Sequence, residues 1–202
     1  MKSPDLLISY NEKLPSEMFD DIKKILSNES CTVIVESRPD EGMFACAEWF
    51  LPAAVMAYIS KPYFEGFLSE MGKDHYKLLK EKLTTLVNSI AKKQENEPIL
   101  LVSSEKKLSK NNPFSQAFSF YADTNDGRKF KLLIPKYSVN SNYDSIVKEF
   151  LQYLEDYYAN RKDLSDIGFD KTVKLASRDI FIHYNEETEL IEWLDQRKYK
   201  NI

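Results

Sequence analysis

The stretch of sequence that decides the fold is residues 117–134, AFSFYADTNDGRKFKLLI. Two runs of residues that favour strands, 117–122 and 129–134, flank a polar segment that ends in Asp126-Gly127. An Asp-Gly pair is typical of the tight turn between antiparallel strands, because glycine readily adopts the positive φ that such a turn requires. The stretch therefore predicts a β-hairpin.

The chain after this hairpin predicts a helix and then a second hairpin. Residues 143–158 place apolar side chains at helical spacing, and Ser141 or Asn142 is a suitable N-cap. After a polar stretch, residues 179–184 and 188–194 alternate apolar and polar side chains. These two runs predict antiparallel strands, although the apolar spacing of the last run also fits a helix.

The chain begins with a predicted strand, helix and strand. Residues 5–10 contain a short apolar run, and Pro15 lies near the start of a stretch with apolar side chains at helical spacing. Residues 31–35 are rich in β-branched side chains. This order predicts a βαβ unit, in which a helix connects two parallel strands.

The middle of the chain is predicted to be mainly helical. Residues 43–60 carry a single charge, Glu48, and we expect a helix that begins near Pro52 and is buried on most of its faces. A new helical turn is expected at Pro62, and residues 73–93 form a long amphipathic helix.

Together these elements predict one domain of the α+β (mixed α/β) class over residues 1–202. An N-terminal βαβ unit leads into a helical middle, and an antiparallel meander packed with a long helix completes the fold. A strand at 98–103 and a polar loop at 104–113 are expected between the middle and the meander.

The opening residues 5–10, DLLISY, resemble the first strand of TIR domains, and the resemblance extends through the following helix and strand. It implies an all-parallel sheet. The serine-rich tryptophan motif that carries that family's catalytic glutamate is not found at its expected distance. We therefore infer no activity from the resemblance.

Composition argues against several partners and cofactors. The 28 Lys and Arg and 32 Asp and Glu residues are mixed along the chain and give a net charge of -4, so there is no basic field for a phosphate backbone. The five glycines are scattered, and no glycine-rich phosphate-binding loop can be written. We therefore expect no nucleic-acid partner and no cofactor.

The N-terminus and the cysteines favour a cytoplasmic location. The first residues lack the charged segment and longer apolar run of a secretory signal. We expect Cys31 and Cys46 to be buried, reduced thiols.

Two carboxylates and a histidine are the candidate catalytic residues. Asp40 and Glu48 follow the second predicted strand, where α/β sheets tend to bind ligands, and with His75 they would form an acid–base site. The alternative for a buried Glu48 is a structural ion pair with a residue such as Arg38 or Lys61.

The start of the long predicted helix is a candidate anion-binding site. Lys73 and His75 lie there, and the amides of a helix N-terminus attract anions, whereas ordinary capping by Asp74 is the alternative. No motif links His75 to His183, which we expect on a strand facing solvent, so we predict no metal site.

Three functions follow from these features. We favour a non-catalytic interaction or regulatory module with a protein partner, because the chain is rich in aromatic residues and lacks a diagnostic active-site motif. The alternatives are a small hydrolase-type enzyme with a carboxylate–histidine site and a peripheral membrane protein that uses residues 43–60. A spanning helix is not expected, because Glu48 and Pro52 interrupt that segment.

Overall fold

The structure is a computed structural model that describes residues 4–28, 31–39, 52–67, 73–91, 112–138 and 140–199. It has the predicted α+β fold, with helices packed against one face of a mixed seven-stranded sheet. The strands are β1 (Leu6–Asn11), β2 (Val33–Arg38), β3 (Val55–Ile59), β4 (Phe114–Asp123), β5 (Lys129–Pro135), β6 (Asp179–Asn185) and β7 (Leu190–Trp193). The helices are α1 (Glu17–Leu26), α2 (Lys61–Phe67), α3 (Lys73–Ala91) and α4 (Tyr143–Tyr158), and a 3₁₀ helix covers Gln196–Tyr199.

The strand order is β2-β1-β3-β4-β5-β6-β7. Strands β1 and β2 pair in parallel, which confirms the N-terminal βαβ unit. The pairs β4–β5 and β6–β7 are antiparallel, which confirms both hairpins and shows that the helical alternative for the last run is wrong. The mixed strand directions also differ from the all-parallel sheet that the TIR resemblance implies.

One face of the sheet forms the core with α1, α3 and α4. Alternate residues of the strands point to this face, and those of β1, β3 and β5 are buried, as Leu6 and Ile8 show in β1. Helix α4 has the predicted bounds, and the Asn142 side chain accepts a hydrogen bond from the Ser145 amide at 3.1 Å, which confirms the predicted cap.

The helix predicted from Pro52 is wrong, because residues 55–59 form β3 in the middle of the sheet. Val55, Ala57 and Ile59 face the core, while Met56 lies half-buried on the other face. β3 hydrogen-bonds to strands on both sides and packs against helices, so its sequence lacks the polar residues that would reveal a period of two.

Several predictions lie outside the described residues. They include the apolar segment 43–51, the strand at 98–103 and all but the last two residues of the loop at 104–113. Residues 52–60 and Pro62 lie within the described part, and the helix that was expected near Pro62 is α2.

Candidate functional site

The structure describes only part of the predicted catalytic and anion-binding set. Asp40 and Glu48 lie outside the described residues. Lys73 is the first residue of α3, and its side chain is not among those described. His75 is the one member of the set whose surroundings are described.

The His75 ring joins three helices. Its Nε2 lies 2.9 Å from the Leu26 carbonyl at the end of α1, and its Nδ1 lies 3.2 Å from the hydroxyl of Tyr63 in α2. A carbonyl can only accept, so Nε2 donates to Leu26. Both ring nitrogens are therefore engaged within the protein, and neither is left to bind an anion. The anion-binding role of Lys73 and His75 stays a prediction.

A buried lysine, Lys131 of β5, lies on the other face of the sheet. The side chain is opposite Tyr121 of β4 and Phe181 of β6, and its Nζ lies 5.6 and 5.7 Å from the centres of their rings. Aromatic faces stabilise a buried cation. Burial, and to a smaller extent the negative charge of the nearby Asp179, raises the pKa of Tyr121 above its usual range. Since Lys131 is only 2% exposed, a ligand cannot reach it in this conformation.

An accessible site lies instead at the far edge of the sheet. A surface cleft of about 480 Å³, here called the hairpin cleft, opens where the β6–β7 hairpin meets the loop after α4. Its volume is within the range of small-molecule binding pockets. The lining residues are Asp166, Ile167, Gly168, His183, Asn185 and residues 190–195.

Strand alternation places the polar residues of the hairpin on one face. His183 lies directly opposite Glu192, and Asn185 lies opposite Leu190. Because side chains alternate along a strand, these four share the face opposite to the helical core.

Glu192 is held as an ionised carboxylate. One of its oxygens accepts a hydrogen bond from Asn185 Nδ2 at 3.0 Å, and the other accepts from the Thr188 hydroxyl at 2.7 Å. These two bonds lower the pKa of Glu192 below its ordinary value, and the bond from Asn185 has the larger effect. The carboxylate is therefore charged at neutral pH and has a set orientation.

His183 is neutral beside it. The ring is half-buried, and this burial lowers the pKa of His183 despite the bond to Tyr184 and the charge of Glu192. Its Nδ1 lies 3.3 Å from the Tyr184 carbonyl, so Nδ1 carries the proton and Nε2 has a free lone pair. Phe114 packs edge-on against the ring, with 5.9 Å between ring centres.

The loop after α4 forms the opposite wall and is bonded to β7. The Trp193 amide donates to the Ile167 carbonyl at 2.8 Å, and the Trp193 ring packs edge-on against Phe169 with 5.1 Å between centres. Gly168 has a φ of +74°, which favours glycine and turns the loop at this point.

At the end of the hairpin cleft a carboxylate is neutralised within the protein. Asp195 is 7% exposed, and both of its oxygens accept from Arg197, through Nε and Nη2, at 2.8 Å each. The Arg197 guanidinium also lies 3.8 Å from Asp170. The charge of Asp195 is therefore balanced by Arg197. Among the four residues that share the face described above, His183, Asn185, Leu190 and Glu192, the charged one is Glu192.

The rim adds negative charge and one apolar side chain. Leu190 is 50% exposed. The turn between β6 and β7 carries three exposed glutamates, Glu186, Glu187 and Glu189. The hairpin cleft is therefore an acidic surface with an apolar element.

Sequence reasoning missed this site because it treated His183 as a residue facing solvent. The register His183–Glu192 depends on the length of the turn, which the open choice between strand and helix for the last run left undetermined. The usable signal was the density of charge, four glutamates within residues 186–192.

Within the described stretches, no group of three or more His, Cys, Asp or Glu side chains is arranged to hold a metal ion. None of the helices described has both the length and the apolar composition needed to cross a membrane. Comparison with known proteins finds no family model, no curated protein and no solved structure that matches this chain.

Proposed function

We propose that this protein is a non-catalytic interaction module of the cytoplasm that binds a positively charged segment of a protein partner in the hairpin cleft. The observation that carries the proposal is the ionised, hydrogen-bonded Glu192 inside a cleft with an acidic rim. A lysine or arginine side chain is the complement of such a surface, since opposite charges across an interface favour association and exclude like-charged partners.

The apolar part of the hairpin cleft fits the same ligand. Leu190 and Trp193 line the cleft together with the carboxylates. Lysine and arginine cover apolar surface with their aliphatic stems while their charged ends reach a carboxylate. Aromatic side chains such as Trp193 are enriched in protein interfaces.

A hydrolase-type enzyme is the second candidate, and His183 favours it. A neutral imidazole with a free Nε2 lone pair beside a carboxylate can accept a proton from water. This candidate uses His183 and Glu192 in place of the predicted Asp40, Glu48 and His75.

The peripheral membrane function has less support than the other two. The described half of its apolar segment, residues 52–60, contains β3, in which Val55, Ala57 and Ile59 are fully buried between neighbouring strands and helices. These side chains cannot enter a lipid surface without unfolding the sheet.

The binding test uses two blocked peptides, TKTVTKT and TETVTET, which differ only in the sign of charge. We expect the lysine peptide to bind and the glutamate peptide not to bind, by fluorescence anisotropy. Replacing Glu192→Gln should weaken binding about tenfold or more, the equivalent of about 1.4 kcal/mol. Glu81→Gln removes the same charge from an exposed site on α3 and should leave binding unchanged.

The same samples separate the candidates. Equal binding of the two peptides, or no binding of the lysine peptide, would contradict the proposal. The mass of the lysine peptide should stay unchanged after incubation, whereas cleavage that is lost in His183→Ala would establish the hydrolase instead.

A further inference from the structure

We infer that the partner segment binds as an added β-strand along the open edge of β7, with a basic side chain beside Glu192 and an apolar side chain, two residues away, beside Leu190. This inference rests on the proposed function and specifies how the segment lies in the hairpin cleft. Addition of a strand to a sheet edge is a common way for proteins to bind extended peptides.

Strand β7 is one edge of the sheet among the described residues. The Leu194 amide donates inward to the Phe181 carbonyl of β6 at 2.9 Å, while the Trp193 amide points outward to Ile167. In an antiparallel ladder the backbone groups alternate in direction, so the amide and carbonyl of Ile191 also point outward. In the described part of the chain no backbone group pairs with them.

The hairpin cleft lies at this position. The loop after α4 contacts the edge of β7 at Trp193 through Ile167, and the cleft extends beside Leu190 and Ile191. A peptide strand that lies next to Ile167 along the same edge of β7 would therefore face the outward backbone groups of Ile191. Such a strand would extend the sheet beyond the point where the loop after α4 contacts it.

The side chains of β7 define what such a strand should carry. Leu190 and Glu192 are two residues apart and lie on the same face of the sheet. An added strand also alternates with a period of two, and directly opposed side chains on adjacent strands are about 5 Å apart. A basic residue and an apolar residue at positions i and i+2 therefore match Glu192 and Leu190 in either strand direction.

Charge excludes a second copy of this chain as the occupant. Pairing β7 with its own copy would bring together two hairpins that each carry four glutamates. Like charges on adjacent strands are destabilising, and charged residues on edge strands are a common protection against self-association. A basic partner would instead be attracted by the same glutamates.

The test compares TKTVTKT with TKVTTKT, an isomer of equal composition and charge in which valine lies on the opposite face of a strand from the lysines. Strand addition predicts that the isomer binds the wild-type protein about tenfold more weakly. Two further versions carry backbone N-methyl groups, one on the threonines and the other on valine and lysines. Because every second amide of an added strand faces β7, one methylated version should lose binding and the other should keep it.

Equal binding of the two isomers, or equal binding of the two methylated peptides, would overturn strand addition and leave the charge-based proposal intact. Failure of TKTVTKT to bind at all would overturn both. Sedimentation of the free protein should give the monomer mass, and a dimer that TKTVTKT dissociates would assign the edge to a second copy.

Discussion

At the scale of single residues, hydrogen bonding keeps Glu192 charged and burial keeps His183 neutral. The pKa of each is lowered, the first by hydrogen bonds from Asn185 and Thr188 and the second by burial. Lowering keeps a carboxylate charged and an imidazole neutral. Between the two directly opposed residues there is therefore one negative charge and no positive charge at neutral pH, which is what a cationic ligand requires.

The lowered pKa of Glu192 also predicts how its contribution to stability depends on pH. Its folded-state pKa lies below the unfolded value, so the stabilisation is present above the unfolded pKa and is lost as the pH falls through the folded pKa. Glu192→Gln should lower stability by about 1 kcal/mol at pH 7, a melting temperature about 2–4 °C lower for a chain of this size. The difference should shrink towards zero as acid protonates the carboxylate. A constant difference from pH 7 to pH 2 would contradict this account of the carboxylate.

At the scale of elements, local signals predicted most of the fold. The Asp126-Gly127 turn, the stripe of α4 and the Asn142 cap each have a short-range physical cause, and each is confirmed. The helix predicted for residues 55–59 was wrong because a strand in the middle of a sheet and a buried helix have the same apolar composition. The pairing of His183 with Glu192 could not be derived, because register is a property of two strands and their turn.

The strand assignment of residues 55–59 predicts a sharp contrast between neighbours. Val55→Asp should unfold the protein, because an unpaired charge in the core costs several kcal/mol, about the whole stability of a small domain. Met56→Asp should fold with a lower melting temperature, because Met56 is half-buried on the other face between Ser9 and Ser119. Circular dichroism melts of the two variants measure the contrast. Similar melts for both variants would be inconsistent with β3.

At the scale of the whole molecule, the candidate site lies at one edge of the described sheet. In the described sheet β2 and β7 are the two outermost strands, and the acidic hairpin belongs to β7. The net charge of -4 adds a weak attraction for a basic partner, but salt screens charges over about 8 Å under physiological conditions. We therefore expect recognition of the proposed basic segment to depend on the local charges of the hairpin cleft.

The most direct test of the central claim is a charge exchange at Glu192, measured by the affinity of each protein for TKTVTKT and TETVTET. Glu192→Lys should bind TKTVTKT about tenfold or more weakly and should gain measurable binding of TETVTET, because the charge pair is restored with its sign reversed. Glu81→Lys makes the same change in net charge outside the hairpin cleft and should keep the wild-type preference. If Glu192→Lys still prefers TKTVTKT, or if Glu81→Lys reverses the preference equally, the hairpin cleft is not the site that recognises the basic segment.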